Sequence, residues 1–154
     1  MEIHYETLEQ EILGAFGESK SMILATCSGN RVTARAMSCI FKGLNILFQM
    51  STQSTKARQI MENPQVALCF GNIQIEGKAI ILVHPIQAPY FKEHYSRLHP
   101  GSYKAYSHME SARAVEVQPS SITLWKYDSE GKPYTVKLDV ISRKAVMDYY
   151  DTSK

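Results

Sequence analysis

Apolar positions change their spacing several times along this 154-residue chain, and each change marks an element. In residues 5–16 the apolar side chains Tyr5, Leu8, Ile12, Leu13 and Phe16 recur at helical spacing, and Gly17 ends the helix. Residues 22–27 are a β-rich apolar run, closed by the turn signal Ser28-Gly29-Asn30. Residues 31–41 predict a long strand, Lys42-Gly43 a turn, and residues 45–50 a return strand. Three neighbours joined this tightly form a β-meander. Residues 55–61 read as a short helix with Ala57, Ile60 and Met61 on its apolar side, stopped by Asn63-Pro64. Strands follow over 66–70 and 73–83, and His84-Pro85 breaks the second. Over 86–98 the period returns to helical, with Phe91, Tyr95 and Leu98 at i, i+4 and i+7. Residues 101–111 are polar and Tyr-rich and read as loop or frayed helix. Three last strands cover 112–117, 122–127 and 134–141, the final pair joined by the loop 129–133. The tail to Lys154 carries no clear period.

This makes about eight strands and three helices, without regular strand–helix alternation. The expected class is mainly β with peripheral helices (α+β), in one domain over residues 1–154. A closed antiparallel barrel is the economical arrangement, because closure removes sheet edges.

Composition narrows the setting. Hydrophobic residues make up 44% and charged residues 21%, as in a soluble globular protein. A net charge of +2 is too small to suggest a nucleic-acid partner. Cys27, Cys39 and Cys69 all lie in apolar runs; an odd count without paired spacing predicts reduced, buried thiols and a cytoplasmic location. The chain opens with no signal-peptide pattern, and its apolar runs are too short to span a bilayer.

Charge is distributed unevenly. Residues 19–61 contain no Asp or Glu but six Lys or Arg. In proportion to the chain's 15 acids, about four would be expected there. The stretch closes on Ser51-Thr52-Gln53-Ser54-Thr55-Lys56, with Arg58 just beyond and Arg35 on the preceding strand. Strand alternation puts Arg35 on one face with Thr33, Met37 and Cys39, where a guanidinium is costly to bury without an anion. A helix starting near Ser54 offers free N–H groups and a favourable dipole to a phosphate. Arg forks onto phosphate oxygens and Lys adds a mobile charge. Ser54 also suits a plain N-cap, but the capping-box position, Ala57, carries no acid to repel an anion.

Four segments carry a resemblance: Arg35-Ala36-Met37-Ser38; residues 47–58, with Ser51-Thr52-Gln53-Ser54-Thr55-Lys56 at their centre; Pro64-Gln65-Val66-Ala67-Leu68; and Ile75-Glu76-Gly77-Lys78-Ala79. In this order and spacing they resemble the pyridoxamine 5′-phosphate oxidase-related family, most closely over residues 15–85. The resemblance implies a split β-barrel that binds FMN at a homodimer interface. It implies that Arg35 and Lys56 hold the FMN phosphate, with Ser54 and Thr55 donating hydroxyls. Ala36, Met37 and Ser38, with Met50, Ser51 and Thr52, would flank the isoalloxazine through backbone groups. Asn72 stands where many relatives place a Gln near the flavin, and Trp125 is a candidate contact from the second protomer or a core residue.

The chain also departs from the oxidase pattern. Five residues past Arg35, where the oxidase has a substrate-binding Lys, stands Ile40. Residues 134–154 include Arg143 but no His, so the C-terminal Arg/His substrate motif is missing. The resemblance therefore implies the cofactor and leaves the substrate open. The expected function is an FMN-dependent oxidoreductase, with NAD(P)H as a possible electron donor and a small quinone, nitro or similar acceptor. The alternative on the same barrel is a non-catalytic flavin-binding, haem-handling or deazaflavin-binding protein.

Other constellations are weaker. His94, His99 and His108 do not share a helical face as a metal-ligand set would. Glu76 reads as a strand-edge charge. Cys39 lacks an activating neighbour and reads as a core thiol. Tyr90, Tyr95, Tyr103 and Tyr106 could line a pocket, but helical spacing favours packing.

Overall fold

In the computed structural model, which describes residues 1–154, the meander closes on itself. The strands are β1 (Glu2–Ile3), β2 (Ser19–Ser28), β3 (Arg31–Lys42), β4 (Asn45–Ser51), β5 (Gln65–Phe70), β6 (Ile73–Ile81), β7 (Ala112–Tyr127), β8 (Pro133–Asp139) and β9 (Lys144–Tyr149). They form one antiparallel sheet in the order β1-β9-β8-β7-β4-β3-β2-β5-β6. An additional β6–β7 pairing closes six of them into a barrel, leaving β8, β9 and β1 as a flap continuing from β7. Helices α1 (Tyr5–Phe16), α2 (Thr55–Glu62), α3 (Pro89–Leu98) and α4 (Pro100–Tyr106) lie around it. No helix is long and apolar enough to cross a membrane.

Helix α1 forms where the period predicts it. Tyr5, Leu8, Ile12 and Phe16 are its buried stripe, and Gly17, at φ 61°, turns the chain out of it. Phe16 stacks on Phe41 at 4.4 Å between ring centroids, which ties the helix end to β3. The main core fills the barrel, with Leu24, Phe48, Leu68, Ile75, Val117 and Ile122 among its buried residues. A smaller core of Ile40, Leu47, Phe91, Tyr95 and Ala114 sits beneath α3.

Several boundaries differ from the expected ones. Residues 112–127 form one 16-residue strand rather than two. Pro119 lies within it and lacks an N–H, yet the pairing with β6 shifts at Glu76/Gly77, so that Pro119 sits at an irregularity. The strand bends there instead of stopping. Its first half pairs with β4 and its second half with β8. Gly77 is required at this bend: a Cβ would lie 2.6 Å from the Gln118 carbonyl oxygen. Strand β6 is paired on both sides, so Glu76 is not on a sheet edge. The tail supplies β9, and the Tyr-rich segment supplies α4. Met61, expected on the apolar side of its helix, is exposed, and the buried residues of α2 are Ala57, Gln59 and Ile60. Of the cysteines only Cys39 is buried; Cys27 is half-buried and Cys69 exposed.

One feature of the sheet opens a gap between β3 and β4. β2 and β3 pair over ten residues each, from Ser19↔Ile40 to Ser28↔Arg31. β3 and β4 pair only through Ile40↔Leu47, Phe41↔Ile46 and Lys42↔Asn45. Beyond those rungs the two strands part, and both keep their outer partners, β2 and β7.

Candidate functional site

The gap between β3 and β4 is a cavity of about 510 Å³, within the range of small-molecule and cofactor sites. Arg35, Ala36, Met37 and Ser38 line it from β3, and Gln49, Met50 and Ser51 from β4. Ser54 and Lys56 enter from the start of α2. Tyr95 of α3, Ser102 and Tyr106 of α4, then Met109 and Ala112 complete the wall. Because the strands have separated, alternate peptide groups on each facing edge lack a ladder partner and are available to a ligand.

Arg35 is held rigidly. One guanidinium nitrogen, Nη1, donates to Thr26 Oγ1 at 2.8 Å and to the Leu24 carbonyl at 3.3 Å. The other, Nη2, donates to Thr33 Oγ1. Both threonine hydroxyls then donate to Gln59 Oε1, each at 2.6 Å. The Gln59 amide in turn donates to the Arg31 carbonyl at 3.0 Å. Every hydroxyl proton in this chain has one direction, running from the cation to the amide oxygen. Gln59 is almost fully buried. The only sequence signal for it is a polar residue on the buried side of a short amphipathic helix.

Lys56 lies close enough to Arg35 to feel its charge. Burial, and then the charge of Arg35, pull the Lys56 ammonium below its ordinary value; burial also pulls down the Arg35 guanidinium. Neither cation has a carboxylate within 4.0 Å. Two half-buried cations that repel each other at one cavity wall, without a counterion from the protein, form a place for an external anion.

The structure divides the other expected site residues. Ser54 is the N-cap of α2: its hydroxyl accepts from the Ala57 N–H at 3.2 Å and donates to the Ser51 carbonyl at 2.7 Å. Its proton is therefore committed locally. Ser51 Oγ pairs with Ser111 Oγ at 2.8 Å. Thr52 and Thr55 are half-buried outside the cavity wall, although Thr55 and Lys56 begin α2 and their N–H groups have no intrahelical acceptor. Arg58 turns away and donates to the Gln53 carbonyl at 3.1 Å.

Asn72 and Trp125 are paired with each other, apart from this cavity. The Asn72 amide donates to the Trp125 carbonyl at 2.8 Å, and the Trp125 N–H donates to the Asn72 carbonyl at 3.1 Å. Trp125 is 40% exposed rather than core, and its indole donates to the Tyr150 hydroxyl at 2.7 Å.

Among the tyrosines, Tyr90 donates to the Phe41 carbonyl at 2.6 Å, and Tyr103 packs against the smaller core. Tyr95 belongs to that core yet reaches the cavity, and exposed Tyr106 forms part of the rim. Burial pushes the Cys39 thiol up to about 12, so it is inert near neutral pH. Sequence reasoning misses the wall under α3 and α4, because Gln49, Ser102 and Met109 have no distinguishing local pattern.

The profile of the pyridoxamine 5′-phosphate oxidase family matches residues 8–126. No curated protein sequence matches the chain. Among solved structures, PhzG from Burkholderia lata 383, in complex with tetrahydrophenazine-1-carboxylic acid, superposes with a TM-score of 0.64 at 14% identity, covering 96% of this chain and 92% of that one. ChuZ from Campylobacter jejuni superposes at 0.68 with 14% identity, over 86% of this chain and 60% of that one. An F420 reductase superposes at 0.55 with 19% identity, over 71% of this chain and 94% of the other. At these identities the superpositions speak for the fold alone. The profile match spans most of the chain and includes the barrel, the parted strands and both cations, and this protein belongs to the pyridoxamine 5′-phosphate oxidase-related family.

Proposed function

We propose that residues 1–154 form an FMN-binding split-barrel domain that acts as an oxidoreductase. The observation that carries this reading is the convergence of Arg35 and Lys56, without a protein counterion, on a cavity opened by the parting of β3 and β4. The residues present fit the cofactor. Arg35 retains N–H groups beyond those given to Thr26, Thr33 and Leu24, and Lys56 stands beside it, so both can meet one phosphate. The N–H groups that open α2 add to the same pole. The facing edges, including Ala36, Met37 and Ser38 on one side and Met50 and Ser51 on the other, offer peptide groups to a flat ring. Ser54 supports this pole by capping α2 rather than by donating to phosphate.

Bound FMN would supply two-electron chemistry; the protein's part is to hold the phosphate, orient the ring and keep one wall dry. NAD(P)H is the proposed donor. The second face of the site falls to another copy of the chain. The outward face of β2, β3 and β5 carries Ile23, Ala25, Val32, Ala34, Ala36 and Ala67 without a charge, next to the cavity. A homodimer on this face would cover it, and the Asn72–Trp125 pair could then approach the partner's cofactor. Three free cysteines suit a reducing compartment, and we place the protein in the cytoplasm.

The test is an absorbance spectrum of the purified protein with mass analysis of the released cofactor, followed by anaerobic NADH or NADPH. FMN release and bleaching of the flavin band are expected. A Soret band, or a longer-tailed deazaflavin in place of FMN, would overturn the cofactor assignment; FMN without bleaching would overturn the enzymatic part.

A further inference from the structure

A second concavity lies across one loop from the cavity. Residues 107–111 join α4 to β7. Met109 and Ala112 line the cavity, while His108, Glu110 and Arg113 line a groove of about 640 Å³ on the other side. Val83 and Ile86, 51% and 41% exposed, give the groove an apolar wall, and Gln87 adds an amide.

The dividing loop is pinned along its length. Ser107, fully buried, donates to Gln49 Oε1 at 2.6 Å, and Ser111 Oγ pairs with Ser51 Oγ. Between them His84 acts as a strut. The Ile86 N–H donates to His84 Nδ1 at 3.4 Å, so the ring proton sits on Nε2, which donates to the Met109 carbonyl at 2.8 Å. Both nitrogens of His84 are thereby used.

Arg113 repeats the pattern of Arg35. Its Nη1 donates to the Glu110 carbonyl at 3.0 Å and to the Ala112 carbonyl at 2.7 Å, which fixes the guanidinium against the loop. Nη2 and Nε donate to no group of the chain. Glu110 shares the groove, yet no carboxylate comes within 4.0 Å of Arg113. A half-buried guanidinium with an open edge and no counterion is a seat for an external anion. An inorganic ion would use that seat alone. A phosphorylated nucleoside uses the whole groove: its base covers Val83 and Ile86 within reach of the Gln87 amide, and its phosphate meets Arg113 and exposed His108.

Resting on the reading that a nicotinamide nucleotide reduces a flavin in the cavity, we infer that this groove takes the adenosine end of that nucleotide, seats its 2′-phosphate on Arg113 and so selects NADPH over NADH. The pinned loop is the divide that the dinucleotide straddles. Glu110 opposes the same phosphate and limits the preference. None of these residues lies on the β2–β3–β5 face assigned to the second copy of the chain.

The test titrates FMN-loaded protein calorimetrically with 2′,5′-ADP and with 5′-AMP, probes that lack the nicotinamide. The wild type should bind 2′,5′-ADP about ten-fold tighter. Anaerobic bleaching should reach half its rate at a correspondingly lower concentration of NADPH than of NADH. Arg113→Met should abolish both preferences and leave FMN uptake intact. Because that change also frees two loop carbonyls, Glu110→Gln is the second variant; it touches none of the loop's contacts and should tighten 2′,5′-ADP about two-fold. Equal affinity of the wild type for the two probes, a preference that survives in Arg113→Met, or unchanged or weaker 2′,5′-ADP binding in Glu110→Gln would each overturn the inference while flavin chemistry stands. A wild type that takes up no FMN, or whose flavin neither nucleotide bleaches, would refute the underlying reading and this inference with it, even if 2′,5′-ADP still bound.

Discussion

Lys56 and Lys126 are both partly buried lysines on the same barrel, but their surroundings are opposite. Lys126, on β7, reaches Glu11 of α1 at 2.6 Å and closes a seam between helix and sheet. Lys56, at the start of α2, has another cation for a neighbour and no carboxylate. The first is a charge whose partner the chain supplies. The second is a charge left open by a chain that omits acid over residues 19–61. The contrast indicates where the fold holds itself together and where it spends stability to hold something else.

The strongest way to break that contrast is to remove the open charges. Arg35→Ala or Lys56→Ala should each weaken FMN binding by about 2–3 kcal/mol, measured by fluorescence titration, because a charge-assisted contact is lost. Riboflavin, which lacks the phosphate, should bind both variants as it binds the wild type; equal losses for the two ligands would show that the cations do not meet a phosphate.

Next in size is the support behind Arg35. Gln59→Leu removes the acceptor of two threonine hydroxyls and should lower stability to urea by about 1–3 kcal/mol, with a parallel loss of FMN affinity. Unchanged FMN binding in that variant would mean that the guanidinium is positioned without the Thr26–Thr33–Gln59 chain.

A smaller effect follows from pH. Lys56 in the folded protein titrates below its ordinary 10.5, so near the upper end of the pH range the unfolded chain holds more protons than the folded one. Stability of the cofactor-free protein should therefore rise as pH climbs from the lowered folded value toward 10.5. FMN affinity should fall over the same interval, as the ammonium that faces the phosphate is lost. Affinity that stays flat there in the wild type, or falls equally in Lys56→Met, would remove Lys56 from the phosphate pole.

The least change is expected at the closed pair. Lys126→Met should cost less than about 1 kcal/mol in urea denaturation and leave FMN binding alone, as expected for a partly exposed ion pair. A cofactor effect from this distant seam would dissolve the distinction between the two lysines.

Much of this was legible in the sequence because it is local. Period and turn residues predict α1, the β2–β3–β4 meander and α2 to within a few residues, since each depends on neighbours close in the chain. The two cations are legible for a different reason: a run without acids is a property of composition. What escapes is whatever depends on pairing across the sheet. Residues 112–127 read as two strands because nothing nearby reveals that β6 changes register opposite Pro119. Cys69 reads as buried from its apolar run, although its face of β5 points out of the barrel. Gln49 and Ser107 are 58 residues apart and acquire meaning only through their contact.

The parting of β3 from β4 has a further consequence for the protein when its cavity is empty. A sheet interrupted in mid-ladder bares two strand margins, the kind of template on which another chain can add itself. A molecule lying in that breach takes the role of the absent hydrogen-bonded neighbour and blocks foreign strands. Saturating it at one hundred times its dissociation constant would add about 2.7 kcal/mol against unfolding. Cofactor supply would then govern the lifetime of the polypeptide as well as its chemistry.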